Sequence, residues 1–274
     1  MTGLLGQAAA AQTTSSPQAT QPPPAVIALS PPPSPAPSPS AAAPSSAPPS
    51  TSAPSKVAPQ RTEKAIIHKR KTRTGPAGSL LFTGTDGVAL TFDDGPDPDY
   101  TPVLLRMLAR EKIKATFCVV GTQAKRHPEL VRAIAKAGHT LCNHTWNHDL
   151  KLGKKPVAKI KADMERTNAA IRAAVPNAQI RFFRAPGGHF NGPVVATAKK
   201  LGMTSIYWKV DPRDWEHPAG ESHPEHRKKI IRIVQKHTRP GAIVLSHDYA
   251  QPDTIAAYRT LLPWLRQRFK LVAL

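Results

Sequence analysis

Between residues 88 and 273, short apolar runs alternate with amphipathic stretches, and this alternation limits the fold more than any other feature. Val88 to Phe92 is a brief, mostly apolar run of the kind that makes a buried strand. Leu104, Leu105 and Leu108 then recur at helical spacing, which predicts a helix over Tyr100 to Lys112. The same reading places further strands at 115–120, 139–142, 180–183, 204–208, 242–245 and 270–273, with helices at 129–137, 157–175, 193–201, 224–237 and 254–269. Gly138 and Gly202 follow two of these helices, where glycine commonly ends the last turn. Strands separated by helices require crossover connections, so the sheet is parallel with helices outside it. The expected class is α/β. About seven strands over about 195 residues suit a barrel or a doubly wound sheet.

The chain before this repeat is of another kind. Residues 1–55 contain no Asp, Glu, Lys or Arg, and residues 1–60 hold 15 of the 30 prolines. Pro, Ala, Ser and Thr in this proportion cannot bury enough apolar surface to offset the entropy of ordering. Residues 1–78 are therefore expected to be a disordered, partly polyproline-II tether, and 79–274 the folded domain. Met1 to Ala11 lacks the basic start of a signal peptide, yet an Ala-rich end before a Pro/Ser/Thr linker resembles a mature exported protein. No run is long enough to span a bilayer.

The net charge of +20 lies entirely after residue 55, with Lys69-Arg70-Lys71 and Arg73 clustered at the end of the tether. Such a surface favours polyanions, anionic envelope polymers among them. No zinc-finger spacing or RNA-recognition signature accompanies it, so a nucleic-acid partner is not expected. Cys118 and Cys142 are too few for a disulfide scaffold, and each sits in an apolar run. Buried free thiols are the expectation, with a bridge between neighbouring strands as the alternative.

Polar clusters sit at the ends of five expected strands. Thr91-Phe92-Asp93-Asp94-Gly95-Pro96 follows the first, where Gly95-Pro96 stops the strand. Asp-Gly-Pro is also ordinary turn chemistry. Adjacent carboxylates repel, however, and need a cation or different tasks. His144-Thr145-Trp146-Asn147-His148 follows the third strand, and two imidazoles with one carboxylate leave open positions on a metal, as catalysis requires. The zinc-protease motif is excluded, because Thr145 stands where it needs glutamate. Arg184-Ala185-Pro186-Gly187-Gly188 follows the fourth strand, Asp211-Pro212-Arg213-Asp214-Trp215 the fifth, and Leu245-Ser246-His247 the sixth. Each alone could be a loop. Five at successive strand ends point to one site, since α/β enzymes gather their chemistry there.

In content and order these five motifs resemble the polysaccharide deacetylases with the NodB-type domain, carbohydrate esterase family 4. The resemblance covers the chain from about residue 85 to its end. It implies a distorted (β/α)-barrel with a divalent metal, usually Zn2+, with Co2+ or another ion as alternatives. It implies Asp93 as general base, Asp94, His144 and His148 as metal ligands, and His247 as general acid. Arg184 would orient Asp93, Asp214 would orient Arg184 or tune His247, and Leu245 and Trp215 would wall the acetyl pocket. The sequence departs from the family at Gly187, where an aromatic residue is frequent. A backbone N–H there could still serve an oxyanion, but the groove loses a ring.

The activity this implies is metal-dependent removal of N-acetyl groups from an N-acetylglucosamine polymer, peptidoglycan or chitin-like, by a monomer. The tether suits an exported, periplasmic or wall-associated enzyme. Two other readings are an O-acetyl esterase on xylan or a similar glycan, and a catalytically silent, basic wall-binding protein.

Overall fold

The computed structural model describes residues 74–274. The expected tether and its basic end lie outside the described residues, apart from 74–78. Thr74 bridges to Leu80, and the Gly75 N–H donates to the Ser79 carbonyl at 2.7 Å.

Seven strands, all parallel, form one sheet: β1 (Val88–Asp93), β2 (Thr116–Val119), β3 (Thr140–Asn143), β4 (Phe182–Phe183), β5 (Thr204–Ser205), β6 (Ile243–His247) and β7 (Leu271–Val272). The order is β5-β4-β3-β2-β1-β6. β7 joins β1 at its start, where the Val88 N–H donates to Lys270 O and the next N–H, of Ala89, to Ala242 O. Successive strand N–H groups point to opposite edges, so β7 and β6 flank β1 on opposite sides. All six residues of β1 are buried, its polar members Thr91 and Asp93 included.

Among the described residues seven α-helices cover the sheet: α1 (Thr101–Arg110), α2 (Gly121–Arg126), α3 (Pro128–Lys136), α4 (Val157–Ala174), α5 (Gly192–Lys200), α6 (His223–His237) and α7 (Pro252–Arg268). Each long helix buries one stripe. In α4 it is Ile160, Met164 and Ile171; in α1 it is Leu104, Met107 and Leu108. Phe92 lies at the centre of the core, 5.4 Å from the Phe117 ring and 5.0 Å from that of Tyr258. Each such fully buried side chain contributes about 1.5–3 kcal/mol.

The barrel closes imperfectly. The fourth and fifth strands are two residues each, shorter than the apolar runs at 180–183 and 204–208 indicate. After Ser205 the chain changes partners: the Tyr207 N–H donates to Leu80 O, and the Lys209 and Val210 N–H groups donate to Ile243 O. Single bridges through Leu80 and Val210 thus complete the circuit in place of a full ladder. The architecture is the distorted (β/α)-barrel that the alternation and the motifs indicate.

Cys118 and Cys142 form a disulfide, which corrects the expectation of free thiols. They are opposite partners in the β2–β3 ladder, with Cα atoms 4.1 Å apart. Two apolar runs do not reveal which residues will face each other; the register does. The short α2 was also not expected, because six residues show too little periodicity. It matters for the site, as described next.

Candidate metal and catalytic site

The sheet register sets the level of the site. Asp93 lies opposite His247 on one side and Cys118 on the other. Asn143 lies opposite Phe183, so the next residues, His144 and Arg184, leave the sheet side by side. The His144 N–H donates to Val119 O at 3.0 Å and the Arg184 N–H to Asn143 O at 2.9 Å.

The 144–148 loop is held from two directions. Asn143 donates to Met164 O and to Asn168 Oδ1, both at 2.8 Å, and accepts from the Thr145 N–H at 2.9 Å. The first N–H groups of α2, from Gly121 and Thr122, donate to Thr145 O and Trp146 O. A side chain at Gly121 would meet the Trp146 ring at 2.5 Å, so this approach requires glycine. Asp163 accepts the Trp146 N–H and the Arg166 guanidinium covers its ring at 3.8 Å. Thr145 and His148 adopt φ of 66° and 57°, and this turn brings two histidines four apart to one carboxylate without a helix.

That carboxylate is Asp94. Its Oδ1 lies 3.2 Å from His144 Nε2 and 3.3 Å from His148 Nε2. Two ligands bound at about 2.0–2.1 Å in a tetrahedron sit about 3.3 Å apart, so the spacing matches a zinc-sized ion. Asp94 Oδ1 is buried and makes no hydrogen bond. His144 Nδ1 is 2.8 Å from Arg184 O, which fixes the tautomer with a lone pair on Nε2. These residues fit a divalent metal. Burial pushes the Asp94 carboxyl up, but the imidazoles of His144, His247 and His148 outweigh it and hold the group well below the usual carboxylate range. Burial keeps His148 below the ordinary imidazole value.

Asp93 is the separate carboxylate. Arg184 Nη1 donates to Asp93 Oδ1 at 2.7 Å and to Thr91 Oγ1 at 2.8 Å, while Nη2 donates to Tyr207 O at 3.1 Å. Arg184 has no exposed surface, so the charge pair is fixed and unscreened. Asp93 Oδ2 faces the site, 3.7 Å from His144 Nε2.

His247 stands opposite Asp93 on β6. Asp214 is hydrogen-bonded to His247, and among the described residues no hydrogen bond or ion pair joins it to Arg184. Asp214 Oδ1 lies 2.9 Å from His247 Nδ1, and Oδ2 accepts from the His247 N–H at 2.8 Å and from Thr254 Oγ1 at 2.7 Å. Burial alone would lower the His247 pKa, but Asp214, then Asp94 and Asp93, raise it to about 10. Asp214 thus favours the protonated ring, and with Nδ1 engaged, Nε2 is the ring nitrogen left for the cleft.

Asp93, Asp94, His144, His148, Gly187, Trp215, Leu245 and His247 all line one cleft of about 400 Å³. Leu245 is buried at its floor, and Trp215 is 47% exposed at its edge. Arg184 and Asp214 lie fully buried behind the lining. Sequence reasoning missed Leu150, His189 and Trp208, and gave no role to Asp211 of the fifth-strand cluster; all four also line it. Gly187 adopts φ +59°, and a Cβ there would lie 3.0 Å from Leu150 and 3.4 Å from His189. Leu150 and His189 thus fill the side that the missing ring leaves open. Asp248, which follows His247 in the cluster at the sixth strand end and was given no role, is fully buried behind the 93–96 loop, its carboxyl pushed up by burial to about 7 and held by Thr101. Its place directly after the fifth motif, at the end of the sixth strand, was the available signal.

Fold and site together define a class: a parallel barrel that gathers a possible metal-binding set, Asp94, His144 and His148, an Arg-paired carboxylate and an Asp-paired histidine at the C-terminal ends of its strands. Residues 83–206 match the polysaccharide deacetylase family. The chain is 38% identical over 200 residues to a chitooligosaccharide deacetylase of Sinorhizobium fredii, a match covering 68% of this chain and 88% of that one. It is also 38% identical over 185 residues to a peptidoglycan-N-acetylglucosamine deacetylase of Bacillus cereus, covering 66% and 82%. Among solved structures, a CE4-family pseudoenzyme from Bacillus anthracis superposes with a TM-score of 0.61 at 29% identity, over 68% of this chain and 63% of that one. The chain belongs to the polysaccharide deacetylase family.

Proposed function

We propose that this protein hydrolyses N-acetyl groups from an N-acetylglucosamine-containing polysaccharide, peptidoglycan or chitin-like, and releases acetate. A pseudoenzyme shares the fold, so the fold by itself does not make a catalyst. The observation that carries the reading is the pair of clamps at one register level: Asp93 on Arg184 at 2.7 Å and His247 on Asp214 at 2.9 Å, facing one cleft.

Asp94, His144 and His148 would hold the divalent ion, which when bound supplies a Lewis acid and a water of lowered pKa. Asp93 accepts the proton of the attacking water through Oδ2, the oxygen that Arg184 leaves open. As the water oxygen adds to the acetamide carbon, the Gly187 N–H donates to the carbonyl oxygen that gains charge. His247 gives its Nε2 proton to the sugar nitrogen as the C–N bond breaks. Acetate and an amino sugar leave. Leu245, Trp215, Leu150 and His189 bound the space for the acetyl group and its sugar.

An exported enzyme is part of the same proposal. The Cys118–Cys142 disulfide supports it, because such bonds persist in oxidising compartments. The charge of +20 supports contact with anionic envelope polymers. Among the described residues no helix is long and apolar enough to cross a membrane.

The test is acetate release from chitooligosaccharide, peptidoglycan and acetylated xylan in parallel, before chelation, after it, and after Zn2+ is returned. Release from the first two, lost on chelation and restored by the ion, is expected. Release from xylan alone would establish the esterase reading, and release from none the silent one.

A further inference from the structure

Three histidines in the loop after Trp215 and the first turn of α6 take no part in the site above: His217, His223 and His226. His226 is fully employed. Its Nδ1 lies 2.7 Å from Glu221 and its Nε2 3.0 Å from Asp214 O, so it positions the loop that carries Asp214. His217 and His223 are exposed, and both face Asp253, a buried carboxylate in the first turn of α7.

We infer that His217, His223 and Asp253 form a second binding site for a transition-metal dication of the zinc or nickel type, weaker than the Asp94 centre. The potential ligand atoms of the three lie within 4.8 Å of one another. Asp253 Oδ2 is 2.7 Å from His223 Nδ1 and 3.7 Å from His217 Nε2. These separations bracket the ~3.3 Å of neighbouring tetrahedral ligands, so about half an ångström of adjustment on each side admits an ion. The exposed rings can make that movement. Asp253 is anchored from behind, because Arg227 Nε lies 3.3 Å from its other oxygen, Oδ1. A ligating carboxylate held in this way keeps its free oxygen directed at the ion.

The same geometry explains why the site is the weaker one. At the Asp94 centre the ligands already stand at 3.2 and 3.3 Å, with Asp94 Oδ1 unpartnered. Here an ion must replace the His223–Asp253 hydrogen bond. It also enters near two helix N-termini and Arg227, whose positive charge opposes it. One carboxylate cannot overcome that for Ca2+ or Mg2+, which need several oxygens. Two imidazoles can for Zn2+, Ni2+ or Cu2+. Binding would have a consequence for the cleft. His217 is two residues from Trp215, and Thr254, beside Asp253, holds Asp214. An ion would pin the cleft edge to the ends of α6 and α7.

The test is equilibrium dialysis of the chelator-stripped full chain against increasing Zn2+ at neutral pH, with metal measured per chain. Wild type should take up two equivalents in two separate phases. His217→Ala combined with His223→Ala should keep the tighter phase and weaken the other by at least about tenfold, as loss of ligands requires. Both positions are exposed and Arg227 still faces Asp253, so the metal-free variant should melt cooperatively, at most slightly below wild type. Asp94→Asn should lose the tighter phase and keep the weaker, which separates the two centres. The inference is overturned if wild type takes up a single equivalent throughout, or if the double variant reproduces both wild-type phases.

Discussion

Replacing Asp214 with Asn leaves the shape of the acid dyad and removes its charge. The carboxylate serves three donors: the His247 N–H and Thr254 hydroxyl on Oδ2, and His247 Nδ1–H on Oδ1. An amide has one accepting oxygen. If it stays on the two donors at Oδ2, its NH2 faces Nδ1 and opposes a proton there. The His247 pKa, raised to about 10 in the native protein, then falls to about 6.5 or below. At pH 7.5 the acid form drops from nearly all of the protein to about one molecule in ten. With the lost orientation of the ring, turnover should fall on the order of 10²-fold or more. A dication at Asp94 lowers His247 in both proteins, so the quantity to read is the difference between them. The assay is kcat against pH on chitooligosaccharide. The alkaline limb should move to lower pH by about three units or more in the variant. Stability should follow with a definite sign. A group raised in the folded state stabilises fully below about pH 6.5 and loses that contribution as pH rises through about 10. The variant should be less stable by about 2–4 kcal/mol at pH 6, and the two proteins should converge above pH 10. An unmoved alkaline limb with a normal melting curve would refute the assignment of His247 as the acid tuned by Asp214.

Asp93→Asn should keep its bound metal and lose about 10²- to 10⁴-fold in turnover, whereas Asp94→Asn should lose metal affinity and recover in part at high metal; metal content and turnover on the same preparations decide, and the opposite pattern reverses the two roles. Arg184→Ala removes the partner of a buried carboxylate and should cost about 3–5 kcal/mol in denaturant unfolding; combined with Asp93→Asn it should add little to the loss of turnover. The Cys118–Cys142 bond closes a loop of 24 residues in sequence separation. Its reduction, or replacement of both residues by Ala, should therefore cost about 3 kcal/mol, read as a lower melting temperature.

Much of this protein was legible from spacing alone. Strand–helix alternation requires parallel strands, and Asp93, His144, Arg184, Asp214 and His247 each follow an apolar run, so one end of one sheet had to receive them. That inference needs only chain connectivity. What the sequence could not express is distance between segments. Nothing local distinguishes Asp214 serving Arg184 from Asp214 serving His247, since 30 and 33 residues separate it from the two. The β1–β6 register and the Thr254 hydroxyl at the start of α7 decide it. Cys118 and Cys142 look like two buried thiols until the β2–β3 register sets them opposite each other. Leu150 and His189 carry no motif, and they enter the cleft because Gly187, in its left-handed conformation, leaves room for them. Local patterns thus determined which residues emerge at strand ends, because secondary structure depends on neighbours in the chain. Partnerships, protonation and the cleft wall were decided by tertiary packing, because they depend on neighbours in space.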